Sequence, residues 1–386
     1  MATSTVFVAL FIFALIMLVF APVMTWVERK QSALMQDRIG ANRAEIFGIK
    51  ALGLIHPLAD VIKMITKEDT MPFGAHRFVH LISPFIAVTP AMISFAVIPY
   101  GGTYEMWGAH FSLVVADLDY GVLYLFAIGS IATYGSMLAG WAGNNNWGML
   151  GSIRVSAQMI SYEVAIGVTV IGLFMIFGTL RLTEMGLYQQ ETFRVFGFMK
   201  YLGWVAPDTK WVDWITLPMW GIVLQPLPFF MFLTALMAEN KRAPFDTPEG
   251  ESEIVAGYFI EYSGMKFGLY MMGEWVEVVV ISGLLTAMFL GGWTLPWLPE
   301  QRIIEFLSGP FGPNIANLMA MLLAVHVFIA KVVGLIFFQM LIRWSMPRFR
   351  YDQVMNLGWK ILLPLSLANI VLTAIGILIV QEVTHA

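Results

Sequence analysis

Long unbroken apolar runs alternate with short polar connectors along this chain of 386 residues. The runs cover roughly 5–26, 78–100, 119–141, 155–178, 214–238, 267–291, 316–342 and 360–381. A helix crosses the hydrocarbon core of a bilayer with about 20 mostly apolar residues, a length that each run meets. The pattern predicts an all-α polytopic membrane protein with about eight transmembrane helices in a single transmembrane domain, 1–386. A β-barrel would show short alternating segments instead. One further element has a different pattern. Within 51–67, Leu54, Leu58, Val61, Ile62 and Ile65 share one face at helical spacing, and His56, Asp60, Lys63 and Lys67 share the opposite one. This predicts a short amphipathic helix lying in the membrane interface, for which anchoring a loop is the simplest use.

Composition agrees with the pattern. Hydrophobic residues make up 58% of the chain and charged residues 12%, outside the range of an ordinary soluble domain. The first run has no basic residue before it and no small-residue cleavage site, so it reads as a retained span. Sixteen Lys and Arg residues fall in the connectors on one side and five in those on the other, with Lys331 left inside a run. Cytoplasmic loops carry the excess of positive charge, which places both termini on the periplasmic side. The absence of cysteine excludes disulfides, thiolate zinc sites and cysteine-ligated iron–sulfur clusters in this chain. The six histidines are too scattered for a metal site by spacing, and no basic patch argues for nucleic acid.

Charges this sparse draw attention to where they gather. The cytoplasmic connector 239–266 holds six carboxylates: Glu239, Asp246, Glu249, Glu251, Glu253 and Glu261. Thr247-Pro248 predicts a helix start, with Thr as N-cap and Pro at the first helical position. Glu249, Glu251 and Glu253 would then sit in the first turns, where the helix dipole favours carboxylates. A capped, solvated helix end would explain one of them. Glu249 and Glu253 at i,i+4 would repel, which points to a protonatable loop beside something buried.

Ionisable groups inside runs are the other signal, because a charge at the centre of a membrane helix costs roughly 3 kcal/mol or more. Glu163 lies eight residues into its run, at a depth of about 12 Å. Intramembrane carboxyls mark proton routes; a neutral carboxyl bonded to a neighbouring helix is the plainer alternative. Glu274 and Glu277, three residues apart, share a helical face, and two carboxyls in low dielectric do not easily both ionise. Lys331 could pair with either of them or reach for the surface. There is no Gly-rich phosphate loop, nucleophile motif or ligand set, so any redox centre must lie on another chain.

Several ordered motifs resemble one family. They are Glu28-Arg29-Lys30, Gln36-Asp37-Arg38-Ile39-Gly40, Pro57-Leu58-Ala59-Asp60 with Lys63, Ser161-Tyr162-Glu163-Val164, the run from Arg242-Ala243-Pro244-Phe245-Asp246 to Glu253, and Ile260-Glu261-Tyr262-Ser263-Gly264. Together they resemble the H subunits of bacterial NADH-quinone oxidoreductases, the quinone-site membrane subunits of respiratory complex I. Departures are Ala41 where the family usually has Pro, His56 where it commonly has Gln, extra residues between Gly48 and Pro57, and a longer segment at 179–213.

The resemblance implies an inner-membrane translocase subunit that docks on other membrane and peripheral subunits of complex I, with quinone as substrate. The chain itself would bind no cofactor; iron–sulfur clusters and flavin would belong to partner subunits. By motif match, Arg29, Arg38 and Asp60 line the quinone chamber, and an arginine there would stabilise the anion that develops on reduction. Asp246, Glu249, Glu251, Glu253 and Glu261 belong to the quinone-linked loop. Glu163, Glu239 and Glu274 belong to the proton route, to which spacing alone adds Glu277. The membrane subunit of an energy-converting hydrogenase is the nearest alternative, because it shares the Arg-x-Pro-Phe-Asp element. A secondary transporter would show inverted repeats, and none is visible. A passive anchor would have no use for buried carboxylates.

Overall fold

The computed structural model describes residues 21–194 and 216–385. The first predicted span therefore lies mostly outside the described residues, as does much of 179–213. Among the described residues, six helices are long and apolar enough to cross a membrane. In chain order the helices are α1 (Ala21–Met35), α2 (Ile55–Thr66), α3 (Arg77–Ser94), α4 (Gly121–Ala142), α5 (Asn146–Phe177) and α6 (Leu182–Tyr188). They continue with α7 (Gly221–Leu224), α8 (Pro226–Glu239), α9 (Glu251–Ile254), α10 (Gly264–Phe289), α11 (Glu300–Phe311), α12 (Pro313–Ser345), α13 (Tyr351–Asn356) and α14 (Leu363–His385). A π-helical turn at Leu357–Leu362 joins the last two into one rod. Two small antiparallel hairpins complete the fold: β1 (Thr103–Met106) with β2 (Ala109–Ser112), and β3 (Thr192–Arg194) with β4 (Thr216–Pro218).

Two helices organise the bundle. α5 packs on α4, α8 and α14, while α10 packs on α3, α12 and α2. Close approach is built from small residues, as expected where helices associate in lipid. A Cβ on Gly135 of α4 would sit 2.5 Å from the backbone nitrogen of Ala87 on α3. One on Gly140 would sit 2.2 Å from the Gly148 carbonyl oxygen on α5.

Several sequence expectations change. α5 begins at Asn146 rather than near 155, because Asn145 caps it by accepting from the Trp147 N–H at 2.9 Å. The polar and glycine residues that hid this start are packing contacts, not loop. The predicted span at 214–238 is broken: β4 and the short α7 precede α8, and the chain kinks at Gln225 before Pro226. Lys331 pairs with neither Glu274 nor Glu277. Its ammonium donates to the carbonyl oxygens of Leu290 (2.7 Å), Gly292 (2.9 Å) and Thr294 (2.6 Å), just past the end of α10, and lies 4.5 Å from the Trp220 ring centroid. It serves there as a side-chain cap for carbonyls that the helix leaves unpaired.

Candidate functional site: buried carboxylates beneath the 239–264 loop

The end of α8 fixes where the loop starts. Asn240 reaches the Glu274 carbonyl at 3.4 Å, and Glu274 lies ten residues into α10, about 15 Å from its first turn. α8 therefore stops well inside the bundle, and the chain from 240 to 263 is irregular backbone packed among helices. Gln158 of α5 clasps this segment. Its amide donates to the carbonyls of Ala238 (2.7 Å) and Phe245 (2.8 Å), and its carbonyl accepts from the Thr247 hydroxyl at 2.8 Å.

That clasp overturns the predicted cap. Thr247 does not start a helix; the α-helical part of the loop is the single turn Glu251–Ile254, which begins after Gly250. Glu249 and Glu253 consequently do not stack. Glu249 turns inward, while Glu253 turns outward to Arg154 at 3.0 Å. Asp246 makes a bidentate pair with Arg348 at 2.7 and 2.8 Å. Glu261 accepts from the Asn145 amide at 2.6 Å. Of the loop carboxylates, these three are held in surface-side pairs. The Glu251 side chain lies outside the described atoms.

Glu249 joins a group that sequence reasoning found only in part. Its carboxyl accepts from the Tyr258 hydroxyl at 3.4 Å and lies close enough to Glu274 for their charges to interact; the Glu274 side chain is 6% exposed. Arg242 lies between Glu274 (3.6 Å) and Glu28 (3.7 Å), with its guanidinium 4.0 Å above the Trp275 ring. Arg343 completes the set at 2.6 Å from Glu28. Two guanidinium groups pair with the carboxylates Glu28 and Glu274, and neither pairs with Glu249. Burial, then the neighbouring Glu274, pushes the Glu249 carboxyl well above the usual carboxylate range. Arg343 sits in the last turn of α12 and Glu28 just past the first apolar run, where charge-counting reads both as surface residues. The signal that could have found them is a surplus of cations beside a loop whose carboxylates must face inward.

A second group lies deeper. Glu239 and Glu277 face a cavity of about 50 Å³ lined also by Ser94, Gly129, Ala132 and Leu236, large enough for water. Glu163, on α5, accepts from the Thr133 hydroxyl at 3.3 Å and lies near enough to Glu239 for their charges to interact. Glu274 and Glu277 face different groups, yet they lie near enough for their charges to interact, as their spacing predicts.

Arg29 and Asp60 also meet. They form a half-exposed ion pair at 2.5 Å between α1 and α2. Arg38 is not part of it; its guanidinium bonds Gln36 at 2.7 Å and stays exposed. His56 accepts from the backbone N–H groups of Arg43 and Ala44, both at 3.2 Å, and so folds the insert before α2. On α2 the apolar stripe Leu58, Val61, Ile62 and Ile65 is exposed. Among the described residues no cluster of three or more His, Asp or Glu could hold a metal ion.

A family model described as NADH dehydrogenase matches residues 7–374. The chain is 41% identical over 368 residues to the H 1 subunit of the NADH-quinone oxidoreductase of Cytophaga hutchinsonii, covering 94% of each. The chain belongs to the H-subunit family of NADH-quinone oxidoreductases. It is similarly related to the H 1 subunit of Geobacter metallireducens, 41% identical over 93% of this chain and 92% of that one. The H subunit of Flavobacterium psychrophilum is 39% identical over 97% of each chain. Family members therefore match this chain over more than nine-tenths of its length, and the long apolar helices fit an integral membrane subunit.

Proposed function

We propose that this chain is the membrane subunit of a proton-translocating NADH:quinone oxidoreductase that borders the quinone site and passes the effect of quinone reduction to a buried proton route. The observation that carries this reading is the two-part set of carboxylates, Glu249 of the loop with Glu274, and the cavity-facing Glu239 and Glu277 with Glu163 near Glu239. Buried carboxyls on membrane helices are costly unless used or paired, and here they form a line rather than isolated pairs. The subunit type of the relatives supplies the substrate: quinone, reduced by electrons from redox groups held by partner subunits.

Reduction of a quinone to a quinol takes up two electrons and two protons. Loss of a proton from the loop side leaves negative charge next to Arg242 and Glu274. Glu249, protonated and close to Glu274, is placed to give up a proton there. The extra negative charge then draws protons toward the loop, from Glu163 through the cavity-facing Glu277 and Glu239. The Arg29–Asp60 pair supplies a fixed cation at the inside rim, where Arg29 would steady developing anionic charge on quinone; Arg38 extends the same rim. Among the loop carboxylates, Asp246, Glu253 and Glu261 hold the loop in place through Arg348, Arg154 and Asn145, and Glu251 continues the same acidic turn.

Glu163→Gln or Glu274→Gln in the assembled complex should lower quinone-coupled proton pumping in membrane vesicles at least several-fold, with reduction of an artificial acceptor by the peripheral arm retained. Normal pumping in both variants would sink the route. Arg29→Ala should impair quinone reduction more than artificial-acceptor reduction; an equal loss in the two assays would make Arg29 a structural residue only.

A further inference from the structure

Lys241 is the charged residue of the site that neither the sequence motifs nor the proposed route assigns. It is 6% exposed, yet its ammonium contacts neutral groups: the Ser136 hydroxyl of α4 at 3.3 Å and the Tyr258 hydroxyl at 3.4 Å, with the Tyr258 ring centroid at 5.1 Å. No carboxylate lies within ion-pair distance of it among the described residues. A buried ammonium without a direct counter-ion is expensive, unless charge slightly farther away balances it. Such charge is present on every packed element that bears a titratable group: Glu239 at the end of α8, Glu277 and Glu274 on α10, and Glu249 with Tyr258 in the loop. The charge of Lys241 reaches Glu239, Glu249 and Glu277, and Glu163 on α5 connects to this set through Glu239. The Tyr258 hydroxyl contacts both Lys241 and Glu249, the latter at 3.4 Å.

The backbone gives an independent argument. Lys241 has a φ of 55°, in the left-handed region that residues other than Gly, Asn and Asp avoid. This turn sends Lys241 toward α4 and Tyr258 while the next residue, Arg242, goes to Glu28, Glu274 and Trp275. Two adjacent cations are thus delivered to two different carboxylate groups. On conformational grounds asparagine would suit the position better than lysine. What lysine adds there is its charge, and strain of this kind persists where the surrounding structure enforces it.

We infer that Lys241 is a positioning residue of the carboxylate line: its ammonium is the electrostatic link between the loop carboxyl Glu249 and the cavity pair Glu239 and Glu277. It favours the ionised form of each, so a proton leaving one carboxyl for another crosses a field set by a fixed cation. The inference rests on the proton-route reading and adds the group that sets its operating pH.

The test uses the assembled complex in inverted membrane vesicles, with NADH-driven acidification followed against pH for Lys241→Asn and Lys241→Arg. Asparagine fits the backbone and removes the charge. Without the cation the carboxyls release protons less readily, so the acid limb of the pumping profile moves to higher pH by about one unit; arginine leaves it in place. An unshifted limb in Lys241→Asn, with peripheral-arm activity intact, overturns the inference. Should that variant assemble poorly, Lys241→Arg decides alone: a retained limb supports the electrostatic role and a shifted one overturns it. Glu249→Gln and Glu163→Gln run alongside. Normal pumping in those two removes the route itself, whereas arrested pumping there with an unshifted Lys241→Asn removes only the role of Lys241.

Discussion

At the residue scale, the site is an exercise in charge balance. Arg242 and Arg343 pair with Glu28 and Glu274, and neither guanidinium pairs with Glu249. The sign follows directly: burial and the neighbouring Glu274 raise the Glu249 carboxyl well above the usual carboxylate range, so it holds its proton to higher pH than a free carboxyl does. Infrared spectra of the complex at pH 7 should therefore contain a carboxylic-acid C=O band that Glu249→Gln removes. A spectrum unchanged by that substitution would show Glu249 already ionised and the balance wrongly drawn. Glu163 and Glu274 were legible in the sequence because each is an acid inside an apolar run. Glu28, Lys241 and Arg343 were not, because a charge at the edge of an apolar run reads as ordinary interface charge. Only the sunken start of the loop makes those edges internal.

At the element scale, the loop is held by side-chain contacts rather than by its own secondary structure. Gln158 satisfies two carbonyls and one hydroxyl across α5, α8 and the loop. Gln158→Leu keeps roughly the same volume but leaves all three groups without their partner, and each unpaired buried group costs about 1–3 kcal/mol. The expected outcome is less assembled complex and faster proteolysis between Asp246 and Ile254; an unaltered cleavage rate would mean that the neighbouring subunits alone hold the loop. The helix start predicted at Thr247 failed for the same reason. A threonine followed by proline reads as a cap on local rules, but the tertiary partner Gln158 takes its hydroxyl. The start of α5 was missed because Asn, Gly and Ser look like a turn until Gly140 and Gly148 are seen packing against each other. α2, by contrast, was readable in full from its two-faced pattern, because the exposed stripe and the Asp60 side are set by local spacing alone.

At the scale of the whole molecule, the long apolar helices fit the run pattern, and the charge asymmetry between connectors predicts their orientation. Orientation is open to a simple check, since the chain has no cysteine of its own. Glu305→Cys, exposed on α11, should react with a membrane-impermeant maleimide in spheroplasts. Lys67→Cys, exposed after α2, should react only in inverted vesicles. The reverse pattern would invert the topology and place the acidic loop on the periplasmic side. What remained illegible at this scale is depth. The apolar run 214–238 is long enough for a full crossing, but the kink at Gln225 and the termination beside Glu274 end it short.

Because α8 ends early, the segment after it behaves as interior, although it joins two helices as any connector does. Connectors normally absorb extra residues, since lengthening a surface loop costs little. This one has no free contour: it is pinned at Ala238 and Phe245 by Gln158, at Asp246 by Arg348, and at Gly257 by close backbone contact with Pro248. Adding even a single residue would displace Lys241, Arg242 and Glu249 together. The chain's room to grow or shrink thus lies elsewhere, in stretches such as the exposed insert between Gly40 and Ile55, and a short acidic connector acquires the intolerance to length change of a hydrophobic core.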